Sequence, residues 1–195
     1  MAGIIQADLD ILFNNARTYT QWTDEKVPPE RLKQIYDLAK MGPTAANCQP
    51  MRIVFVESPE AKEKLKPCLD AGNVPKVMSA PVTAIVAGDM DFYDHFDKLY
   101  PIADVRPWYA GKPELISETV MRNTALQGAY LMLAARAVGL DCGPMSGFNA
   151  QAVDEAFFAG TTYKSNFLCN LGYGKRPYPY PRLPRFDFDE ACKIV

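Results

Sequence analysis

The chain has 195 residues, 48% of them hydrophobic, with 21 basic against 23 acidic side chains and a formal net charge of -2. That length can bury a large core and suits one domain over 1–195, while the near balance of charge lacks the basic field that neutralises a phosphate backbone, so no nucleic acid is expected as a partner. No apolar run reaches membrane-spanning length, and residues 1–20 carry Asp8, Asp10 and Asn14 inside their apolar pattern, unlike a secretion signal; no membrane association and a cytoplasmic protein are expected.

Residues 7–16 place Leu9, Leu12 and Phe13 at helical spacing and predict an amphipathic helix ending near Arg17. Arg17 and Thr18 then set a guanidinium beside a hydroxyl, a pair suited to phosphate, although a solvated arginine fits the same residues. Pro28 and Pro29 open a second helix with Leu32, Ile35, Tyr36 and Ala39 on one face. It delivers the chain to Met41–Val56, where Gly42 and Pro43 stop the helix and Thr44, Asn47 and Gln49 offer uncharged hydroxyl and amide groups. Such a loop suits a neutral, polar, planar ligand; a plain helix-to-strand connection rich in turn formers accounts for the spacing equally well.

Arg52–Glu57 reads as a buried strand, and Ser58 caps a helix with Pro59 and Glu60 in its first turn, from which Lys62, Lys64 and Lys66 are expected to reach solvent. Residues 71–76 form a second polar loop before a central strand, Val82–Ala87. Asp89–Tyr109 is irregular and holds six large aromatics, which fit either a lid over an apolar pocket or a partner surface. Pro113 opens the longest helix, to about Val138, uncharged from Asn123 to Ala135 and therefore expected to be buried in the core or against a second subunit. Gly139 caps it, Asp141–Phe148 is read as a third loop, Ala150–Phe158 as a helix, and Asn166–Leu171 as a third strand. Pro177–Pro184 carries four prolines in eight residues and predicts an extended arm.

Five widely spaced cysteines without a CxxC pair read as reduced thiols, and a single histidine, His95, supplies no metal-ligand cluster and no catalytic triad. There is no GxGxxG or Walker signature.

Four separated segments together resemble the FMN-dependent nitroreductases, and within them the malonic semialdehyde reductase (RutE-like) branch. Gly42-Pro-Thr-Ala-Ala-Asn-Cys-Gln-Pro50 is similar to that family's Pro-Ser-Ser-x-Asn-x-Gln-Pro loop, Gly143-Pro-Met-Ser-Gly-Phe148 to its second flavin loop, and Arg182-Leu-Pro184 to its C-terminal phosphate-binding segment; Gly139-Leu140 stands in the family's order before Pro144. Residues 156–158, 164–166 and the 182–184 arm favour the RutE-like branch. The resemblance implies an α+β fold with a mostly antiparallel central sheet flanked by helices, an intertwined homodimer, FMN as cofactor and NADH or NADPH as electron donor. It implies that Arg17, Thr18 and Arg182 hold the FMN phosphate, that Thr44, Ala45, Asn47 and Gln49 line the flavin from the other subunit, and that Asn73 and Lys76 read the ring edge. Pro144, Met145, Ser146 and Gly147 would lie by the ring, with the backbone near Ser146 facing N5 and no side chain acting as a required acid.

The implied reaction is ping-pong hydride transfer through FMN to malonic semialdehyde, giving 3-hydroxypropionate in pyrimidine breakdown, with Arg106 or Arg122 as candidate carboxylate ligands. A broad nitroaromatic or quinone reductase is the alternative, and a flavin-binding protein without turnover or a thiol enzyme using Cys48 or Cys142 stand further off. Ala16 and Thr20 replace basic residues frequent in the family, which predicts less positive charge at the phosphate, and Met51 replaces a common tryptophan.

Overall fold

The computed structural model describes residues 3–195. Its centre is a four-stranded sheet in the order β1-β2-β4-β3, built from β1 (Met51–Val56), β2 (Val82–Asp89), β3 (Asp141–Met145) and β4 (Tyr163–Gly172), with every neighbouring pair antiparallel. Helices surround it: α1 (Gln6–Leu9), α2 (Pro29–Ala39), α3 (Pro59–Leu65), α4 (Val74–Ser79), α5 (Phe96–Leu99), α6 (Pro113–Ala137), α7 (Ala150–Phe157) and α8 (Phe188–Ala191).

The period of two along β2 divides the core. Val82, Ala84 and Val86 face a cluster with α2 and α6 that includes Ile35, Leu131 and Ala135, while Ile85 and Ala87 face Leu65, Val77 and Val153 of α3, α4 and α7. All eight residues of β2 are buried, as the run Val82–Ala87, apolar apart from Thr83, predicts for a central strand; the burial takes in Thr83 and Asp89 as well. Helix α6 ends within a residue of its expected terminus, and Gly139 follows with φ of 87°, the left-handed conformation that glycine adopts without cost. Helix α6 lies close against β4 at Gly128, where a Cβ would come 2.4 Å from Phe167.

Several expectations change. The stretch read as a third loop begins with a strand, because Asp141–Met145 pairs with Leu168–Gly172; Pro144 is tolerated there since β3 is a sheet edge. The strand expected at 166–171 extends from 163 to 172 and is fourth in chain order. The second polar loop is a turn over residues 71–73 and helical from Val74, Pro75 sitting in the first turn of α4. The N-terminal segment is α-helical only over Gln6–Leu9 and widens into a π-type turn at Asp10–Asn14, leaving Phe13 exposed. Tyr36 is also exposed, off the buried face of Leu32, Ile35 and Ala39.

Ser58 caps α3 by accepting from Ala61 N at 3.2 Å, but Lys62 does not reach solvent. It shares a face with Leu65, is buried, and donates to Val77 O at 3.0 Å and to Ala80 O. These are carbonyls at the open C-terminal end of α4. Between 89 and 109 the chain builds a small core of its own, in which Phe92, Phe96 and Tyr109 pack with Cys48, Ile116 and Val120. Among the described residues no helix is long and apolar enough to cross a membrane, and no three His, Cys, Asp or Glu side chains converge as metal ligands.

Candidate functional site

Segments 13–18 and 178–185 meet at one cavity of about 640 Å³. Thr18 pairs in parallel with Cys142 of β3, which fixes the segment after α1 at the sheet edge. Arg182 reaches back from the C-terminal arm to accept-only partners there, donating to Phe13 O at 3.3 Å, Ala16 O at 2.8 Å and Asn14 O. Arg17 donates to Ala16 O at 3.1 Å and Asn14 O at 3.3 Å from the same turn. Tyr178 O–H ties the arm to Thr18 O at 3.0 Å. Arg17, Thr18 and Arg182, separated by most of the sequence, thus line one cavity.

Arg136 and Arg185 line it as well, so four guanidinium groups face a space with no carboxylate in its walls among the described residues. Desolvation, and then Arg17, Arg185 and Arg136, push the Arg182 pKa down from its ordinary value. A guanidinium does not surrender its proton under ordinary conditions, so such crowding is relieved by a multivalent anion. The buried Nε of Arg136 has no partner among the described residues. The loss of positive charge expected from Ala16 and Thr20 is therefore offset by residues from the last turn of α6 and from the arm. Arg136 resembles any cation at a helix C-terminus, and Arg185 any charge in a polar tail, so neither carried a signal in the sequence.

A second group forms around α4. Asn73 Nδ2 donates to Gly147 O at 2.9 Å, and Lys76 Nζ donates to Asn73 Oδ1 at 2.9 Å. The approach is close: a Cβ on Gly147 would lie 2.5 Å from Asn73 Nδ2 and 2.8 Å from Asp70 Oδ2. Pro144 and Met145 occupy the end of β3 and Ser146 is exposed just beyond it. Cys142, which meets Thr18, and Gly147, which meets Asn73, are thus ends of one short run that spans at most about 16 Å at strand rise.

Thr44, Ala45, Asn47 and Gln49 join neither group within one chain. Gln49 lines a separate cavity of about 450 Å³ with Met51, Arg52 and His95. Their loop is nonetheless sharply defined: Ala46, Asn47 and Gln49 have φ of 47°, 50° and 36°, unfavourable for side-chain-bearing residues and persistent only where surroundings impose them. Asn123 of α6 accepts from Ala45 N at 2.8 Å, Gln127 accepts from Met51 N at 2.9 Å, and Asn47 donates to Leu99 O at 2.8 Å. Asn123 and Gln127 of α6 are thus fasteners for this loop. Met51 is buried in the core cluster.

Residues 15–173 match the family model described as the nitroreductase family. The chain belongs to the nitroreductase family. Membership makes it an oxidoreductase by class. A Burkholderia lata protein, provisionally named an NADH dehydrogenase/NAD(P)H nitroreductase, is 55% identical over 194 residues, covering 100% of both chains. A Bacillus subtilis structure, provisionally described as a nitroreductase, superposes with a TM-score of 0.87 at 24% identity, covering 98% of this chain and 100% of its own. A third, from Exiguobacterium sibiricum and provisionally described as a nitroreductase, in complex with FMN, gives a TM-score of 0.84 at 23% identity with 100% coverage of both. These two structural likenesses speak for the nitroreductase fold, and the four-stranded antiparallel sheet with flanking helices has that fold.

His95 is half-exposed and lies 3.2 Å from the buried carboxylate of Asp89, which also accepts from Arg52 at 2.7 Å. Arg106 pairs with Asp97 and Arg122 with Glu118, both in exposed surface ion pairs. Burial pushes the Cys48 thiol up to about 11, which leaves it protonated and a poor nucleophile.

Proposed function

We propose that the protein is an NAD(P)H-dependent FMN oxidoreductase that acts as a homodimer and reduces small nitroaromatic or quinone-like acceptors. The single observation that carries this reading is the cavity in which Arg17, Thr18, Arg136, Arg182 and Arg185 converge without a carboxylate. A phosphate monoester is the anion that such a donor set fits. The run from Cys142 to Gly147 then carries the chain from the phosphate group to the Asn73–Lys76 pair, a distance comparable with a ribityl phosphate joined to a three-ring system. FMN, when bound, supplies two-electron hydride chemistry.

The residues of the chain have distinct duties in this reading. Arg17, Thr18 and Arg182 hold the phosphate, with Arg136 and Arg185 adding charge. Asn73 and Lys76 face the ring edge where negative charge develops on reduction, and the ammonium stabilises that charge. Pro144, Met145, Ser146 and Gly147 form the wall beside the ring, the small Gly147 allowing contact with Asn73. Thr44, Ala45, Asn47 and Gln49 complete the pocket of the other subunit. Association between two copies is supported by the apolar side chains left exposed on α2, α6 and the arm, among them Leu38, Met121, Leu126, Leu183 and Phe186. The whole of 1–195 acts as one FMN-binding domain.

The narrower reading, reduction of malonic semialdehyde to 3-hydroxypropionate, is supported by the likeness of residues 156–158, 164–166 and 182–184 to the RutE-like branch. Its carboxylate needs a cation outside the phosphate cluster, and neither Arg106 nor Arg122 bonds with the Asn73–Lys76–Gly147 group within one chain; each stands in an exposed ion pair. The broad nitro or quinone reductase is therefore the better supported of the two. Stopped-flow oxidation of the NAD(P)H-reduced protein by a nitroaromatic, a quinone and malonic semialdehyde tests this choice. Rapid oxidation by the first two supports it, and rapid oxidation by the aldehyde alone would overturn it.

A further inference from the structure

Helix α4 is six residues long, too short to persist without outside fastening, yet it carries Lys76 and follows Asn73. Two buried side chains from other elements take its carbonyls. One is Lys62 of α3, on Val77 O and Ala80 O. The other is Asn170 of β4, whose Nδ2 donates to Lys76 O at 3.0 Å.

Asn170 is itself oriented by a partner. Thr83 of β2 lies directly opposite it in the sheet register, and the Thr83 hydroxyl donates to Asn170 Oδ1 at 2.6 Å. Both residues have zero exposure and stand among apolar neighbours on the face toward α3 and α4. The hydroxyl proton occupies the amide oxygen, which leaves the NH₂ group turned to Lys76 O. Without that partner the amide oxygen is left unsatisfied in an apolar interior, and the side chain is held at Lys76 O by one bond instead of two. From the sheet outward the bonds run Thr83 to Asn170, Asn170 to the Lys76 backbone, Lys76 Nζ to Asn73, and Asn73 to Gly147.

We propose that Thr83 and Asn170 are positioning residues that fix Lys76 against the ring edge from inside the sheet, and so set how strongly the site favours reduced over oxidised flavin. The inference rests on the FMN reading above. Neither side chain touches the ligand; both act through the α4 backbone.

The test uses the full chain and the variants Thr83→Val, Thr83→Ser and Lys76→Met. In flavin-free protein, Thr83→Val is expected to speed amide exchange over 74–79 without changing it in α7. In the FMN-loaded protein, loss of one buried hydrogen bond is expected to weaken the preference for reduced flavin about fivefold. That corresponds to a potential about 20 mV more negative at about 30 mV per tenfold for a two-electron couple. Thr83→Ser should restore both values, and Thr83→Val added to Lys76→Met should produce no further shift, a result that general loosening of the core would not give. Thr83→Ala serves in the same way if the valine variant fails to fold. Unchanged exchange and potential in the Thr83 variants, while Lys76→Met shifts the potential, would overturn the positioning role alone. A wild-type protein that binds no FMN would instead overturn the FMN reading, with the exchange result still deciding whether Thr83 holds α4.

Discussion

Replacing Arg17 with glutamine should discriminate between FMN and riboflavin, which differ only in the phosphate. Arg17 Nη1 is spent on Ala16 O and Asn14 O, so the rest of its donor fork remains for an anion in the cavity it shares with Arg182 and Arg136. A charge-assisted hydrogen bond contributes about 1.5–3 kcal/mol, and partial exposure of Arg17 reduces this to about 1–2 kcal/mol through solvent screening. Arg17→Gln is therefore expected to weaken FMN binding about 5- to 30-fold. Riboflavin affinity should change less than about twofold, because the Asn73–Lys76 group is untouched. Quenching of flavin fluorescence on titration into flavin-free protein measures both constants, and the FMN effect should shrink as salt rises. Equal losses for the two flavins would refute the placement of the phosphate among these arginines.

Gly147→Ala should weaken flavin binding with little change in melting temperature, because its Cβ would press on Asn73 Nδ2 at 2.5 Å at the surface of the fold; an unchanged dissociation constant would show that Asn73 is not at the ring. Ser58→Ala removes the cap on Ala61 N and should cost about 1 kcal/mol, or about 2–4 °C in the midpoint of thermal unfolding. Exposed Cys192 should react with a disulfide reagent well before the buried Cys48, Cys68, Cys142 and Cys169 in the folded protein, as timed absorbance of the released thiolate reports. Burial raises the Cys48 pKa from 9.0 to about 11, so the folded state favours the proton more than the unfolded chain does. Its contribution to stability is then complete below pH 9.0 and declines as pH rises toward about 11, which denaturant unfolding of wild type against Cys48→Ala would register as a narrowing gap.

The parts legible in the sequence are those where one local pattern and one physical cause coincide. The apolar run of Val82–Ala87 gave a central strand because a strand covered on both faces has no polar side to show. The uncharged middle of 113–138 gave a helix whose one face is buried while Leu126 lies exposed on another, and Gly139 ended it. Arg17 with Thr18 and Arg182 were candidates for one phosphate, and the fold does bring the three to one cavity. What was not legible depends on partners remote in sequence. Gly143-Pro144 reads as a turn until β4 lies beside it, and Lys62 reads as a surface lysine until the α4 carbonyls stand against its amine. Thr83 and Asn170 are single polar residues in two separate apolar strands; only the register that places them opposite each other turns them into a pair. The loop at Thr44–Gln49 reads as polar, but the positive φ of Ala46, Asn47 and Gln49 is not visible in the residue types, and within one chain Gln49 lines a different cavity from the arginines.

The most direct test of FMN oxidoreductase activity is the visible absorption spectrum of the purified protein loaded with FMN, recorded without oxygen before and after addition of NADH or NADPH. Bleaching of the oxidised flavin bands, followed by their return when a nitroaromatic or quinone is added, is the predicted result. A bound flavin whose spectrum neither dinucleotide changes, or a protein that takes up no FMN, would contradict it.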